Sequence, residues 1–335
     1  MSQIAPMQML DRYGPGTVAP APSLAEARAY VRRLALSHYE NFTVLSRFVP
    51  EELRDDIAAV YAFCRWSDDL GDETGSGPEA REKSLALLRW WREELRRCVA
   101  SAQGEVEGSN HPVFVALRET IRTRELDARP FHHLIDAFEQ DQRITRYETW
   151  DQVVEYCTRS ADPVGRIVLG LVGRARPDRD AELLAMSDAT CTALQLTNHW
   201  QDVRRDLLDR DRVYLPSKDT GITAEQLLEW ARRPEDAQAR VAYIRAVRAL
   251  VERTRALFER GRPLPSRLRS CGGVAARLEP VVWLFGAGGM AVLNRIEREG
   301  CTTLWRRPVL TKGRRAWLLL RAMMHRARRA GGGNP

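Results

Sequence analysis

Apolar residues recur three and four positions apart along nearly the whole chain, the period of an amphipathic α-helix. "SLAE" at 23–26 reads as a capping box opening a helix that runs to about Leu45. Pro50 fits the first turn of the next helix, which extends through Asp72 until "TGSGP" breaks it. The spacing predicts further helices over 79–102, 112–125, 130–141, 149–173, 178–208, 224–233, 236–261, 274–298 and 312–329, with Thr149 and Gln152 forming another capping box. Pro163 should kink or break the 149–173 helix, and Gly165, Gly170 and Gly173 then permit close approach of a neighbour. No sustained alternation of period two, no repeat and no heptad seam interrupts the pattern. The expected fold is an all-α helical bundle, one domain over residues 23–300, with a flexible leader at 1–22 and a basic helix and tail at 301–335.

Hydropathy and charge refine this picture. The longest near-continuous apolar run, Val281–Leu293, is shorter than the 18 or so residues of a membrane span and reads as a core helix. The N-terminus has neither a basic nor an apolar signal region, which makes the expected location cytoplasmic. The six cysteines are scattered, with no CxxC pair, as for reduced core residues. The net charge of +7 is concentrated at the end: no acidic residue follows Glu299, and residues 300–335 carry nine Lys or Arg. The 312–329 segment mixes Trp317, Leu318, Leu319, Leu320, Met323 and Met324 with six arginines and a lysine. It suits either an amphipathic helix lying peripherally on an anionic membrane or one packing its apolar side on the core. Nucleic acid is the weaker partner, because the rest of the chain is slightly acidic and no recognition motif accompanies the tail.

Two stretches carry candidate chemistry. In "YAFCRWSDDLGDET" (61–74), a turn of about 100° per residue puts Tyr61, Arg65, Asp68 and Asp72 on one stripe, with Asp69 flanking it. Phe63, Trp66 and Leu70 cover the opposite side. Such a helix serves equally as a solvated surface element or as the acidic wall of a cavity, where its carboxylates would repel one another unless a cation joined them. In "LQLTNHWQDVRRDLLDRDRVYLP" (194–216), Gln195, Asn198, Asp202 and Asp206 share a second stripe, with Arg204, Arg205, Arg210 and Arg212 nearby. Oxygen donors at helical spacing, without His or Cys at zinc spacing, suit Mg²⁺ held jointly with substrate phosphates. Arginines would take the remaining phosphate oxygens. The chemistry implied is ionisation of a diphosphate, leaving a carbocation that aromatic faces can stabilise. Tyr61 and Tyr214 are the tyrosines nearest the two stripes.

These stretches, with "HYENFTVLSRFVP" (38–50), resemble the squalene/phytoene synthases over about residues 30 to 300. The resemblance implies an isoprenoid-synthase-type bundle with a central active-site cavity. It implies Mg²⁺ ligation by Asp68, Asp69, Asp72, Asn198, Asp202 and Asp206, and diphosphate contacts by Arg65 and Arg212. It further implies substrate or cation contacts by Tyr61, Gln195 and Tyr214, and a substrate-binding segment containing Tyr39, Asn41 and Phe42.

Two departures from the family pattern remove phosphate-binding capacity. Tyr39 and Asn41 stand where many members have serines, and Gln201 stands where many have Arg before the middle aspartate. "ENFTVLSRFVP", "CRWSDDLGDE" and "SADPVGR" look like the hydroxysqualene synthase branch of bacterial squalene and hopanoid biosynthesis. That branch takes one diphosphate, presqualene diphosphate, and quenches its rearranged cation with water, so no NADPH is expected. Tyr39, Asn41 and Gln201 are the candidates for admitting or orienting that water. The implied pathway neighbours are a presqualene diphosphate synthase and an enzyme that reduces hydroxysqualene. Rival readings are a head-to-head transferase making presqualene diphosphate, squalene or phytoene, a non-catalytic membrane-associated relative, and an acidic-faced bundle with no active site.

Overall fold

A computed structural model of the chain describes residues 5–18, 20–38, 48–75 and 77–330, with the side chains of 37–38 and 324–330 excepted. Among the described residues the regular structure is helical, and the one extended feature is an isolated bridge between Arg146 and Val213. The principal helices are α1 (Leu10–Tyr13), α2 (Leu24–His38), α3 (Arg54–Asp72), α4 (Pro78–Ala102), α5 (Pro112–Arg124), α6 (Arg129–Asp141), α7 (Trp150–Ser160) and α8 (Asp162–Leu171). They continue with α9 (Pro177–Gln201), α10 (Val203–Asp209), α11 (Ser217–Thr220), α12 (Ala224–Arg232), α13 (Ala237–Gly261), α14 (Leu264–Ser270), α15 (Gly273–Arg298) and α16 (Lys312–Ala330). Their contacts group into two compact units, one of residues 1–143 and 166–179, the other of 144–165 and 180–335.

The local signals act where the sequence puts them. Ser23 Oγ accepts from the Glu26 amide while the Glu26 carboxylate accepts from the Ser23 amide, closing the capping box of α2. Thr149 and Gln152 do the same for α7. The break near Pro163 falls at Ala161, so that Pro163 occupies the first turn of α8, where its missing N–H costs no hydrogen bond. The predicted 178–208 helix also divides: Asp202 (φ −105°, ψ 14°) separates α9 from α10. The expected leader is partly structured, since 6–13 is helical and Met7, Met9, Leu10 and Tyr13 pack on the core of the first unit. At the other end, Cys301, Thr303 and Leu304 are buried in the second unit.

α3 organises the first unit. Phe63, Trp66 and Leu70 are fully buried, and Trp66 stacks on Trp91 of α4 with ring centroids 5.4 Å apart. Each such burial stabilises the fold by roughly 1.5–3 kcal/mol. Indole N–H groups find partners even here: Trp66 donates to Tyr30 Oη (3.1 Å) and Trp91 to Ser67 Oγ (2.9 Å). Gly71, near the end of α3, has its carbonyl oxygen capped by Ser84 Oγ (3.1 Å) and Gln142 Nε2 (3.0 Å). In the second unit α15 is, among the described residues, the one helix long and apolar enough to cross a membrane, and 44% of its most apolar window is buried within the protein. All six cysteines are free thiols, and burial raises the pKa of Cys64, Cys98 and Cys191 to about 12.

Candidate active site

On α3 one line of side chains stays half-exposed while the rest of the helix beyond its first turn is buried: Ile57, Tyr61, Cys64, Arg65, Asp68 and Asp72. This is the stripe expected from helical spacing, with Ile57 at its apolar end. Arg65 anchors it, one Nη in an ion pair with Asp69 and the other 3.2 Å from Asp68 Oδ2. Asp69, on the flank, is the buried member at 2% exposure. Burial pushes its carboxyl up to about 7, opposed by Arg65 and reinforced by Asp68 and Glu73. The Nε of Arg65 is itself buried without a hydrogen-bond partner. Arg65 is thus shared between two carboxylates.

The second stripe is more deeply set. Asp202 and Asp206 are both buried, whereas Gln195 is half-exposed and Asn198 exposed. Although the helix breaks at Asp202, the backbone bonds from Asp202 to Asn198 and from Asp206 to Asp202, each 2.9 Å, keep the three residues in step. Arg205 bridges the aspartates, 3.0 Å from Asp202 and 2.9 Å from Asp206. Burial raises the Asp206 pKa, and Arg205 opposes the shift.

Sequence reasoning missed a further cation: Arg307 ion-pairs with Asp202, and its Nη2 lies 3.3 Å from the second carboxylate oxygen. Gln201, expected to help with water, is buried and donates its amide to the Pro308 carbonyl at 2.6 Å. The side chain is therefore occupied in holding the segment that carries Arg307. Where the family pattern has arginine at position 201, this chain brings a guanidinium to Asp202 from 105 residues away. The only advance signal was the RR pair at 306–307, which spacing cannot connect to a distant helix.

The loop after α10 is tied down by its neighbour. Val213 donates to Thr145 (2.8 Å) and Ser217 to Tyr147 (3.0 Å). Tyr214 is buried in a cluster of aromatic rings, 3.7 Å from His199 and 5.5 Å from Tyr147. Burial lowers the His199 pKa to about 3, so this residue is a neutral packing group. Arg212 is buried beside the same loop, and its amide donates to the Asp206 carbonyl at 2.8 Å. Tyr39, Asn41 and Phe42 lie outside the described residues. A cavity of about 780 Å³ in the first unit, lined by Tyr13, Trp90 and His111 among others, contains none of the predicted site residues.

The donor set fits a hard cation. It consists of carboxylates and one amide; Asp69, Asp202 and Asp206 are buried, and Arg65 and Arg205 are each shared between two carboxylates. Among the described residues no three His, Cys, Asp or Glu side chains gather closely enough to hold a metal unaided. A Mg²⁺ ion held by these donors would need water and substrate phosphate to complete its shell.

A profile of the squalene/phytoene synthases matches residues 35–314. The chain belongs to the squalene/phytoene synthase family. Among its family relatives, the hydroxysqualene synthase of Zymomonas mobilis is 38% identical over 193 residues, 56% of this chain and 59% of that protein. The match therefore spans about six tenths of that relative's length. The hydroxysqualene synthase of Rhodopseudomonas palustris is 32% identical over 69% of this chain and 72% of the relative. The crystal structure of squalene synthase HpnC from Alicyclobacillus acidocaldarius superposes with a TM-score of 0.67 at 43% identity, covering 83% of this chain and 95% of that one. The all-α isoprenoid-synthase fold expected of this family member is thus the fold observed.

Proposed function

We propose that this chain converts presqualene diphosphate and water into hydroxysqualene and pyrophosphate. The observation that carries the proposal is the pair of carboxylate stripes, each with its own arginine, in a chain similar to two hydroxysqualene synthases. The C–O bond to the diphosphate breaks, and its electron pair leaves with the pyrophosphate. The cation rearranges, the oxygen of water forms the new C–O bond, and the proton that water loses passes to the released pyrophosphate. Redox balance needs no reductant, so NADPH has no part in the reaction.

The roles follow from the chemistry of each side chain. Asp68, Asp69, Asp72, Asn198, Asp202 and Asp206 would hold Mg²⁺, which when bound neutralises the diphosphate and stabilises it as a leaving group. Arg65 and Arg212 supply hydrogen bonds to the phosphate oxygens, and Gln195 borders the substrate. Tyr61, half-exposed on the carboxylate stripe, and Tyr214, with its ring in an aromatic cluster, offer π-faces to the cation. Tyr39 and Asn41 are the candidates for admitting water, with Phe42 on the hydrocarbon. The pathway partners would be an enzyme that forms presqualene diphosphate and one that reduces hydroxysqualene, both working near the cytoplasmic face of a bacterial membrane.

Product analysis with purified protein and Mg²⁺ tests this reading. Hydroxysqualene and pyrophosphate should appear from presqualene diphosphate at equal rates with and without NADPH. Pyrophosphate released from farnesyl diphosphate, with none from presqualene diphosphate, would instead assign the head-to-head condensation.

A further inference from the structure

The C-terminal helix turns an apolar side outward. With Trp317 as origin and about 100° per residue, Leu318 and Ala322 lie near +100° and +140°, Leu320 near −60° and Met323 near −120°. Leu318 and Ala322 are the buried pair, at 5% and 0% exposure. Trp317, Leu320 and Met323 are 39%, 50% and 50% exposed. The two small residues Gly313 and Ala316 share the outer face and are also exposed. Arg321 and Lys312 fall on its flanks, near +40° and −140°, whereas Arg315, near +160°, borders the buried stripe.

The usual surface helix has one apolar stripe, which faces the core, with its charges in water. Either reading of the tail from sequence gave its apolar residues a single destination. In the structure a narrow stripe docks the helix on α15, and a second apolar stripe is left over. The docked position is reinforced by Arg321, whose guanidinium lies 4.8 Å from the Trp317 ring and 5.5 Å from that of Trp283 on α15.

We propose that this outer face docks on an anionic lipid bilayer. Trp317, Leu320 and Met323 would enter the boundary between headgroups and acyl chains, while Lys312 and Arg321 meet lipid phosphates. Charge selects this occupant over a second copy of the chain. No acidic residue follows Glu299, and among the described residues neither flanking cation has a carboxylate partner. Two such faces would repel each other, whereas phosphatidylglycerol supplies the missing negative charge. The surface is independent of which diphosphate the enzyme takes.

The test is co-sedimentation of the full-length chain with vesicles of phosphatidylcholine containing about 30% phosphatidylglycerol, compared with phosphatidylcholine alone. The chain should bind the anionic vesicles at least about tenfold more strongly, and the preference should weaken as salt is raised. The double variant Leu320→Glu/Met323→Glu should lose most of that binding, with its circular dichroism and thermal midpoint unchanged. Lys312→Glu, a single exposed charge reversal, should give an intermediate loss. Equal binding to both vesicles, no binding to either, or full binding by the double variant would overturn the proposal. So would a lipid-free dimer that the double variant abolishes.

Discussion

Arg307 reaches both carboxylate oxygens of Asp202, and the adjoining pair, Gln201 and Pro308, is joined by a 2.6 Å hydrogen bond. The two contacts form one clasp between the end of α9 and the segment before α16. Asp202 thus carries two counter-ions, Arg205 from its own helix and Arg307 from outside it. In the Mg²⁺-free protein these guanidiniums neutralise a buried carboxylate that would otherwise be strongly disfavoured.

Arg307→Gln should therefore lower the stability of the Mg²⁺-free protein by about 1–2 kcal/mol, below the cost of breaking a fully buried pair because Arg307 is half-exposed and Arg205 remains. The deficit should shrink when Mg²⁺ and a pyrophosphate analogue are added, since bound cation replaces the lost charge. Urea unfolding in EDTA and in Mg²⁺–analogue gives both values. An identical deficit in the two conditions would mean that Arg307 merely packs.

Asp69 should make stability fall with rising pH. Its folded pKa of about 7 exceeds the 3.8 of an ordinary aspartate, so the folded state holds more protons between those values. Asp69 therefore destabilises the Mg²⁺-free chain progressively from about pH 4 to about pH 7, with no further change above. Asp69→Asn should remove this slope, read as the difference between wild-type and variant unfolding curves. Mg²⁺ binding must displace the proton, so wild-type Mg²⁺ affinity should rise over the same window.

His199 contributes in the opposite direction. Its folded pKa of about 3 lies below the ordinary 6.5, so the neutral form is favoured and stability is lost as pH falls below about 6.5. His199→Phe keeps a ring against Tyr214 and should reduce acid sensitivity while leaving the pH profile of turnover in place. His199→Ala, which opens a cavity beside Tyr214, should cost about 2–4 kcal/mol. A turnover profile that changes shape in His199→Phe would show that the imidazole takes part in proton transfer.

Asp68→Ala and Asp206→Ala are each expected to reduce turnover of presqualene diphosphate by about a hundredfold or more, as for loss of a group that stabilises developing charge. Isothermal titration should show that metal-dependent binding of a pyrophosphate analogue falls in parallel. Neither variant should unfold, because each removes a carboxylate that is crowded or buried in the metal-free protein. Unaltered analogue binding in both would exclude the stripes from the site.

Two adjacent glycines of α15 should behave differently. A Cβ at Gly289 would lie 2.4 Å from Leu194 and 2.8 Å from the Phe258 ring, whereas at Gly288 it would meet nothing within 4 Å. Gly289→Ala should lose about 1–3 kcal/mol through overpacking. Gly288→Ala should be neutral or gain up to about 1 kcal/mol from reduced freedom of the unfolded chain. Thermal midpoints of the two variants, measured together, decide the matter.

Much of the fold and the helical placement of the two candidate stripes were legible in the chain itself. Helical periodicity, the Ser23–Glu26 and Thr149–Gln152 boxes and the prolines fix where helices start, because capping and proline geometry act over three or four residues. The same periodicity sets the half-exposed stripe of Tyr61, Arg65, Asp68 and Asp72, since positions on one helix are related by rotation alone. What tertiary structure decided was burial and distant pairing. It made flanking Asp69 the deepest carboxylate of its stripe, committed Gln201 to the Pro308 carbonyl, and delivered Arg307 to Asp202. It also turned Leu318 inward and Leu320 outward on a helix whose composition allowed either. These outcomes depend on which surfaces meet after the helices pack, and desolvation and ion pairing are set by that meeting rather than by spacing along the chain.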